Sequence, residues 1–198
     1  MNNLFAATLD AFDRVDTLVT TATDFERANP LDLSADALER VLASNVRSAF
    51  MLTRIAAAKM IAQAETAEAG MAPGSIVHVS SLSGRIASNE IAAFSISCAA
   101  LDQLTRTFAI ALAPHGIRVN GVAPGGVMTE GLRQGLTELP DLRQSLIART
   151  PLNRIGEASE AADAVLFLAS EAASFITGQV LVVDGGRSVL DPLAATNI

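Results

Sequence analysis

The chain has 198 residues, of which 50% are hydrophobic, with 21 acidic against 14 basic residues and a formal charge of −7. This length suits a single domain with a sizeable core, spanning residues 1–198. There is no Tyr, no Trp and one Cys, so a tyrosine proton donor, a disulfide and a paired-cysteine metal site are excluded within the chain. The acidic balance and scattered basic residues argue against nucleic acid and anionic membranes as partners.

The chain shows no pattern typical of export or membrane insertion. No run of about 18 uncharged apolar residues occurs, so no transmembrane helix is predicted, and the amino terminus lacks the positive charge of a secretory signal. A single cysteine fits a cytoplasmic location. His78 has no Cys or carboxylate at ligand spacing, so we predict a hydrogen-bonded core histidine and no metal site.

Strand-like and helix-like patterns alternate along the chain. Residues 17–22 (TLVTTA) predict a short buried strand, and Ser34 is a typical N-cap for a helix over residues 34–69 that stops at Gly70. Further strands are predicted over residues 75–80, 117–123 and 180–183, and further helices over residues 91–113 and 157–170. Strands separated by helices imply parallel crossovers, hence a three-layer α/β fold with a parallel sheet covered on both faces.

Three strings carry a family resemblance: IVHVSSLSG, FSISCAALDQLTRTFAIALAPHGIRVNGVAPGGVMT and FITGQVLVVDGG. In order and spacing they resemble part of a short-chain dehydrogenase/reductase, and the earlier DTLV matches as well. The resemblance extends from Phe12 to Gly186. It implies a Rossmann-like sheet, and because DTLV matches the fourth strand of the family fold, we expect the first βαβαβ half to be lacking.

The resemblance also implies four catalytic positions. Ser81 matches the serine that orients the substrate carbonyl, and Asn45 matches the helix asparagine that holds a water in the proton relay. The tyrosine position is Phe94, and the lysine position four residues later is Cys98. A phenol of pKa near 10 donates a proton at neutral pH only when a nearby ammonium lowers its pKa. Because Phe94 has no proton to give and Cys98 carries no positive charge, we predict an inactive site.

The cofactor side of the resemblance is also incomplete. A dinucleotide fold needs a glycine-rich turn between its first strand and helix, so that backbone N–H groups reach the pyrophosphate. Residues 1–69 contain no glycine. The residues that match the family loop closing over the nicotinamide are Pro124, Gly125, Val127 and Thr129. One turn cannot enclose a dinucleotide, so we expect no bound cofactor and keep these four residues as residual candidates.

These losses predict a catalytically silent member of the family, a pseudoenzyme that acts through oligomerisation. The helices around residues 34–69 and 91–113, which in the resembled family pair across a dimer axis, are the predicted surface for a homo- or hetero-oligomer, with an active homologue as a candidate partner. One alternative is an NAD(P)-dependent oxidoreductase of the ketone/alcohol or 3-oxoacyl thioester class, with residual or partner-dependent activity. A second alternative is a cofactor-free ligand-binding or lyase-type pocket around Ser81 and Asn45.

Overall fold

The computed structural model describes residues 2–21, 23–66 and 73–191. Its helices are α1 (Asn2–Phe12), α2 (Ala35–Leu42), α3 (Ser48–Thr66), α4 (Ala92–Leu112), α5 (Glu130–Glu138), α6 (Pro140–Ala148) and α7 (Ala158–Ala169). Its strands are β1 (Thr17–Thr20), β2 (Ser75–Val79), β3 (Arg118–Pro124), β4 (Val127–Met128), β5 (Gly156–Glu157) and β6 (Val180–Val183). Helices thus separate the strands β1, β2, β3 and β6.

These four strands form one parallel sheet in the order β1, β2, β3, β6. Ser75 of β2 lies opposite both Thr17 of β1 and Arg118 of β3, and Gly121 of β3 lies opposite Val180 of β6. The short strands β4 and β5 form a separate parallel pair. The predicted α/β fold with a Rossmann-like parallel sheet is confirmed, and within the described part of the chain β1 and β6 are its edge strands.

Apolar side chains of the sheet pack against helices on both faces. Successive side chains of a strand point to opposite faces, so Ile76 and Val77 of β2 join different clusters. Ile76 packs with Met60 of α3 and with Phe5 of α1, while Val77 packs with Leu168 of α7. Ile76 and Val77 are fully buried. The sheet is therefore the middle of three layers.

The predicted boundaries agree with the structure to within one or two residues where both are described. Ser34 caps α2, because its Oγ accepts a hydrogen bond from the Ala37 N–H at 3.2 Å. The helix predicted over residues 34–69 consists of α2, a π-helical turn (Ala43–Arg47) and α3, which ends at Thr66. Gly70 and Ala22, where the first predicted helix and strand end, lie outside the described residues. The sequence patterns did not predict the helices α1, α5 and α6.

A left-handed glycine makes the turn between α4 and β3. Gly116 has φ +71°, a conformation that glycine adopts without the steric cost of a side chain. A Cβ at this position would also lie 2.8 Å from Cγ of Pro73. Both constraints favour glycine. The tight turn that glycine makes here allows β3 to begin shortly after the helix.

His78 is a core residue, as predicted. Its Nδ1 lies 2.9 Å from Oγ1 of Thr105 and its Nε2 lies 2.9 Å from Oγ1 of Thr53. Because the Thr105 hydroxyl donates to the Leu101 carbonyl, it accepts from Nδ1–H, and Nε2 then accepts from Thr53. Burial lowers the pKa of His78 to about 4, so the imidazole is neutral at pH 7.

Two further findings concern ligands and membranes. Residues 2–21, 23–66 and 73–191 bring no three His, Cys, Asp or Glu side chains together as a metal site would need. Over the same ranges no helix has the length and apolarity to cross a bilayer. The cytoplasmic location stays a prediction.

Candidate functional site

The four predicted site residues lie on segments that follow two neighbouring strands. Ser81 comes two residues after the end of β2, and Asn45 belongs to the π-helical turn in the helical segment after β1. Phe94 lies in the first turn of α4 and Cys98 in the next. The carboxyl ends of parallel strands are where α/β sheets bind ligands, and π-helical turns are frequent at functional sites.

A cavity of about 10 Å³ brings three of these residues together. It is lined by Thr23, Asn45, Val79, Ser80, Phe94, Ser97, Cys98 and Leu101. This volume is just enough for one water molecule. Ser81 does not line the cavity, so this cavity is not the closed cleft containing both Ser81 and Asn45 that the lyase-type alternative requires.

The Asn45 side chain fastens the loop after β1 to α4. Its Oδ1 accepts from the Asp24 N–H at 2.6 Å, and its Nδ2 donates to the Asp24 carbonyl at 2.9 Å. The second Nδ2 hydrogen goes to Oγ of Ser97 at 2.9 Å. Both amide hydrogens are therefore used within the protein, and a water at this side chain would have only the remaining lone pair of Oδ1.

Ser81 lies in a tight turn directly after β2. Its Oγ accepts from the Ser83 N–H at 3.2 Å, and its hydroxyl donates to Oγ of Ser83 at 3.3 Å. It caps the 3₁₀ turn Leu82–Gly84. The hydroxyl is half-buried, and donating to a substrate oxygen would require it to give up only the long 3.3 Å bond to Ser83.

Phe94 and Cys98 occupy the two remaining positions with apolar contacts. The Phe94 ring meets the Phe25 ring edge-to-face, with centroids 5.6 Å apart. Cys98 is 4% exposed, and burial raises the pKa of its thiol to about 12, although a hydrogen bond with Ser97 acts in the opposite direction. At pH 7 the thiol is neutral, so neither residue supplies the proton or the positive charge that the family positions imply.

The turn after β3 holds the residual cofactor candidates. Pro124 ends β3, and a Cβ at Gly125 would lie 2.5 Å from Cβ of Asp184, so this glycine permits the close approach of β6. Val127 pairs with β5. Thr129 caps α5, because its Oγ1 accepts from the Leu132 N–H at 3.2 Å, and that bond leaves the hydroxyl hydrogen available.

These residues fit the nicotinamide end of a dinucleotide. They place a hydroxyl and a glycine turn at the same edge of the sheet as Ser81, since a Cβ at Gly125 would lie 3.6 Å from Leu82, the neighbour of Ser81. They do not supply a turn for the pyrophosphate. Residues 1–69 have no glycine for such a turn, so the fit covers one end of the cofactor.

Three residues of this site were missed by sequence reasoning. Ser97 lies between Phe94 and Cys98 on α4, and this position was the only feature of the sequence that could have pointed to it. Asp24 contributes backbone groups, and Phe25 meets a ring from a distant part of the chain. No local sequence pattern predicts such contacts, because they depend on how the loop after β1 packs on α4.

The fold is therefore a Rossmann-like α/β fold, and comparison with known proteins identifies its family. The family model described as "Enoyl-(Acyl carrier protein) reductase" matches residues 1–188. The chain is 35% identical to L-rhamnose 1-dehydrogenase (NAD(P)(+)) of Sphingomonas sp. strain SKA58, covering 93% of the chain and 69% of that protein. It is 37% identical to galactitol 2-dehydrogenase (L-tagatose-forming) of Cereibacter sphaeroides, covering 93% and 70%.

A solved structure agrees with these relatives. Gluconate 5-dehydrogenase from Burkholderia cenocepacia J2315, in complex with NADP and tartrate, has a TM-score of 0.84 and 30% identity, covering 94% of this chain and 69% of that one. The chain belongs to the short-chain dehydrogenase/reductase family. This confirms the resemblance seen in the sequence.

The same comparisons correct two predictions. The prediction of a catalytically silent protein is wrong, because relatives between 34% and 39% identical are named as dehydrogenases and reductases. The expectation of no cofactor is not supported either, because solved neighbours were determined with NADP bound. That reasoning gave too much weight to Phe94 and Cys98, whose replacement removes one source of protons without removing the rest of the site.

Proposed function

We propose that the chain is an NAD(P)-dependent oxidoreductase that interconverts an alcohol and a carbonyl compound. The observation that carries this proposal is the close approach of the Gly125 turn to Leu82, the neighbour of Ser81, in a chain whose relatives are named as dehydrogenases. A serine hydroxyl at this edge can orient a carbonyl next to a nicotinamide.

Each residue of the site then has its own role in the reaction. A bound nicotinamide supplies the hydride, and Gly125, Val127 and Thr129 would hold that end of the cofactor. Ser81 donates a hydrogen bond to the carbonyl oxygen and gives its proton to the alkoxide that forms there, and solvent returns that proton. Phe94 contributes shape alone. A serine hydroxyl is a much weaker acid than the tyrosine phenol that the family positions imply. Because a well-matched general acid accounts for about 10² to 10⁴ in rate, we expect slow turnover.

The names of the relatives suggest the first substrates to test. They act on L-rhamnose, galactitol and, in the solved neighbour, gluconate, which favours polyols, sugars and sugar acids carrying a secondary alcohol. The family model is described as "Enoyl-(Acyl carrier protein) reductase", so an enoyl thioester is added to the panel. A 3-oxoacyl thioester, the other class that the sequence resemblance implies, completes it.

The experiment is a turnover assay with the full chain, following the nicotinamide absorbance with each substrate and with both NAD and NADP forms. Slow turnover that Ser81→Ala lowers to a small but measurable rate is the expected result. Ser145→Ala, at an exposed position of α6, is the matched control. Cofactor at 100 times its Kd should also add about 2.7 kcal/mol to stability. Absence of both turnover and thermal protection with every pair would overturn the proposal.

We also propose that the chain forms a homo-oligomer through α3 and α4. Large apolar side chains are exposed on these helices: Phe50, Met51, Ile96 and Ile110. Contiguous exposed apolar surface is typical of protein interfaces. Light scattering after size-exclusion chromatography should give a multiple of the 20.5 kDa chain mass, and Ile110→Glu should reduce it. A monomer at assay concentration would contradict this proposal.

A further inference from the structure

Asp102 is a buried carboxylate on the helix that carries two of the site positions. It follows Phe94 and Cys98 at intervals of four residues along α4, and side chains at this spacing lie on one side of a helix. Asp102 is 4% exposed. Burying a carboxylate costs free energy unless other groups hydrogen-bond to it or neutralise its charge. The partners of Asp102 therefore indicate which segment of the chain it holds in place.

Its partners lie at the two ends of the turn that carries Ser81. The hydroxyl of Ser80 donates to Oδ1 of Asp102 at 2.6 Å. The guanidinium of Arg85 approaches the other oxygen, with Nε 3.7 Å from Oδ2. Ser80 directly precedes Ser81, and Arg85 directly follows the 3₁₀ turn Leu82–Gly84. One carboxylate on α4 thus holds both ends of this turn.

The middle of the turn lies directly against α4. A Cβ at Gly84 would be 2.8 Å from the backbone N of Ala99 and 2.9 Å from the backbone C of Cys98, so only glycine permits this approach. Backbone bonds close the turn, with the Gly84 N–H donating to the Ser81 carbonyl at 3.0 Å. Arg85 also donates to the Val180 carbonyl of β6 at 2.8 Å. The turn is therefore fixed relative to both the helix and the sheet.

We propose that Asp102 is a positioning residue for Ser81. It acts through Ser80 and Arg85, which hold the turn against α4 so that the Ser81 hydroxyl faces the reacting carbonyl beside residue 94. Asp102 itself touches neither substrate nor cofactor. This inference rests on the proposed oxidoreductase function, because it assigns to Asp102 the placement of a hydroxyl that acts in that reaction.

The kinetic test uses Asp102→Asn, which keeps the shape of the side chain but presents an amide N–H₂ to one partner instead of a carboxylate oxygen. We expect kcat to fall about 10- to 100-fold with KM changed less than about twofold, the size of effect that small misplacements of reacting groups produce. Ser80→Ala should behave alike. Asp163→Asn, an exposed position on α7, is the matched control and should leave kcat unchanged.

A double-mutant cycle separates positioning from general destabilisation. Once Ser81→Ala has removed the hydroxyl, Asp102→Asn should lower kcat no further, because interacting residues are not additive. An additive loss in the Ser81→Ala background would overturn the proposal. So would a wild-type kcat in Asp102→Asn.

Hydrogen exchange gives a readout that does not depend on turnover. In Asp102→Asn the amides of Gly84 and Arg85 should exchange about tenfold faster, while amides of β3 keep their rates, as expected for local opening of one segment. Unchanged exchange at Gly84 and Arg85 would overturn the proposal. If the wild-type chain shows no turnover with any substrate, the proposed function fails, whereas the exchange rates still decide whether Asp102 holds the turn.

Discussion

The Phe94 ring meets the Phe25 ring edge-to-face, with the ring planes at 65° and the centroids 5.6 Å apart. Phe25 lies on the loop that Asn45 fastens through the backbone of Asp24. The contact holds an aromatic ring at the position that the sequence resemblance matches to the family tyrosine. By the sequence resemblance, position 94 differs from the family residue by one hydroxyl group.

Restoring the proton donor and its cation should raise the rate. In the double variant Phe94→Tyr with Cys98→Lys, the new ammonium should lower the pKa of the new phenol, so that the phenol donates a proton at neutral pH. We expect kcat/KM to rise by about 10² to 10⁴, the usual contribution of a positioned general acid. Steady-state assay with the best substrate of the panel measures this change.

The single variants serve as controls for that prediction. Phe94→Tyr alone should gain less than the double variant, because its phenol lacks the cation that lowers its pKa. Cys98→Lys alone should gain nothing, since it has no phenol to act on. A double variant no faster than the wild-type chain would contradict a proton-transfer role for position 94.

The buried imidazole of His78 should make stability depend on pH. The folded pKa is about 4, below the ordinary value of 6.5, so the unfolded chain takes up a proton at a higher pH than the folded chain does. Stability is therefore fully present above pH 6.5 and falls as the pH drops toward 4. The total loss is about 3 kcal/mol at about 1.4 kcal/mol per unit of pKa shift.

Urea unfolding at several pH values between 7 and 4 measures this loss. His115→Asn, at an exposed position in the turn after α4, is the control and should show the same pH dependence as the wild-type chain. A free energy of unfolding that stays constant between pH 7 and 4.5 would show that the imidazole is not held neutral in the folded state.

Two buried threonines should respond in opposite directions to replacement by valine. Thr20 is 5% exposed, and its Oγ1 has no hydrogen-bond partner within the described residues, so Thr20→Val should stabilise the protein by about 1 kcal/mol. Thr53 is fully buried and bonded to His78. Thr53→Val should cost about 1 to 3 kcal/mol because it leaves a ring nitrogen unpaired. Equal effects in chemical denaturation would refute this difference.

Arg118 holds the carboxyl end of α7. Its guanidinium donates to the carbonyls of Leu168 at 2.7 Å, Ala169 at 3.2 Å and Ser170 at 3.0 Å, where a cation also favours the helix dipole. Arg118→Met should reduce the free energy of unfolding by about 1 to 3 kcal/mol. Arg106→Met, at an exposed position of α4, should change it by less than about 0.5 kcal/mol.

Much of the fold could be predicted because its signals are local. The apolar runs that became β2, β3 and β6 are short and bounded by glycine or proline, and Ser34 announces the start of α2. The helices α5 and α6 were missed because each is only nine residues long and because Gly131, Gly135 and Pro140 are typical of turns. Hydrophobic spacing predicts elements that bury one face, and it predicts poorly those that remain largely exposed.

By itself, the sequence determined which side chains occupy the matched site positions, and hence that Phe94 cannot donate a proton and that Ser81 can. It did not determine what those side chains contact. The commitment of Asn45 to Asp24 and Ser97, and the hold of Asp102 on both ends of the Ser81 turn, were decided only by the tertiary structure. The physical reason is how far apart in sequence the interacting residues are. Caps, turns and apolar periodicity depend on neighbours in sequence, whereas these hydrogen bonds and the ion pair form only after distant segments pack.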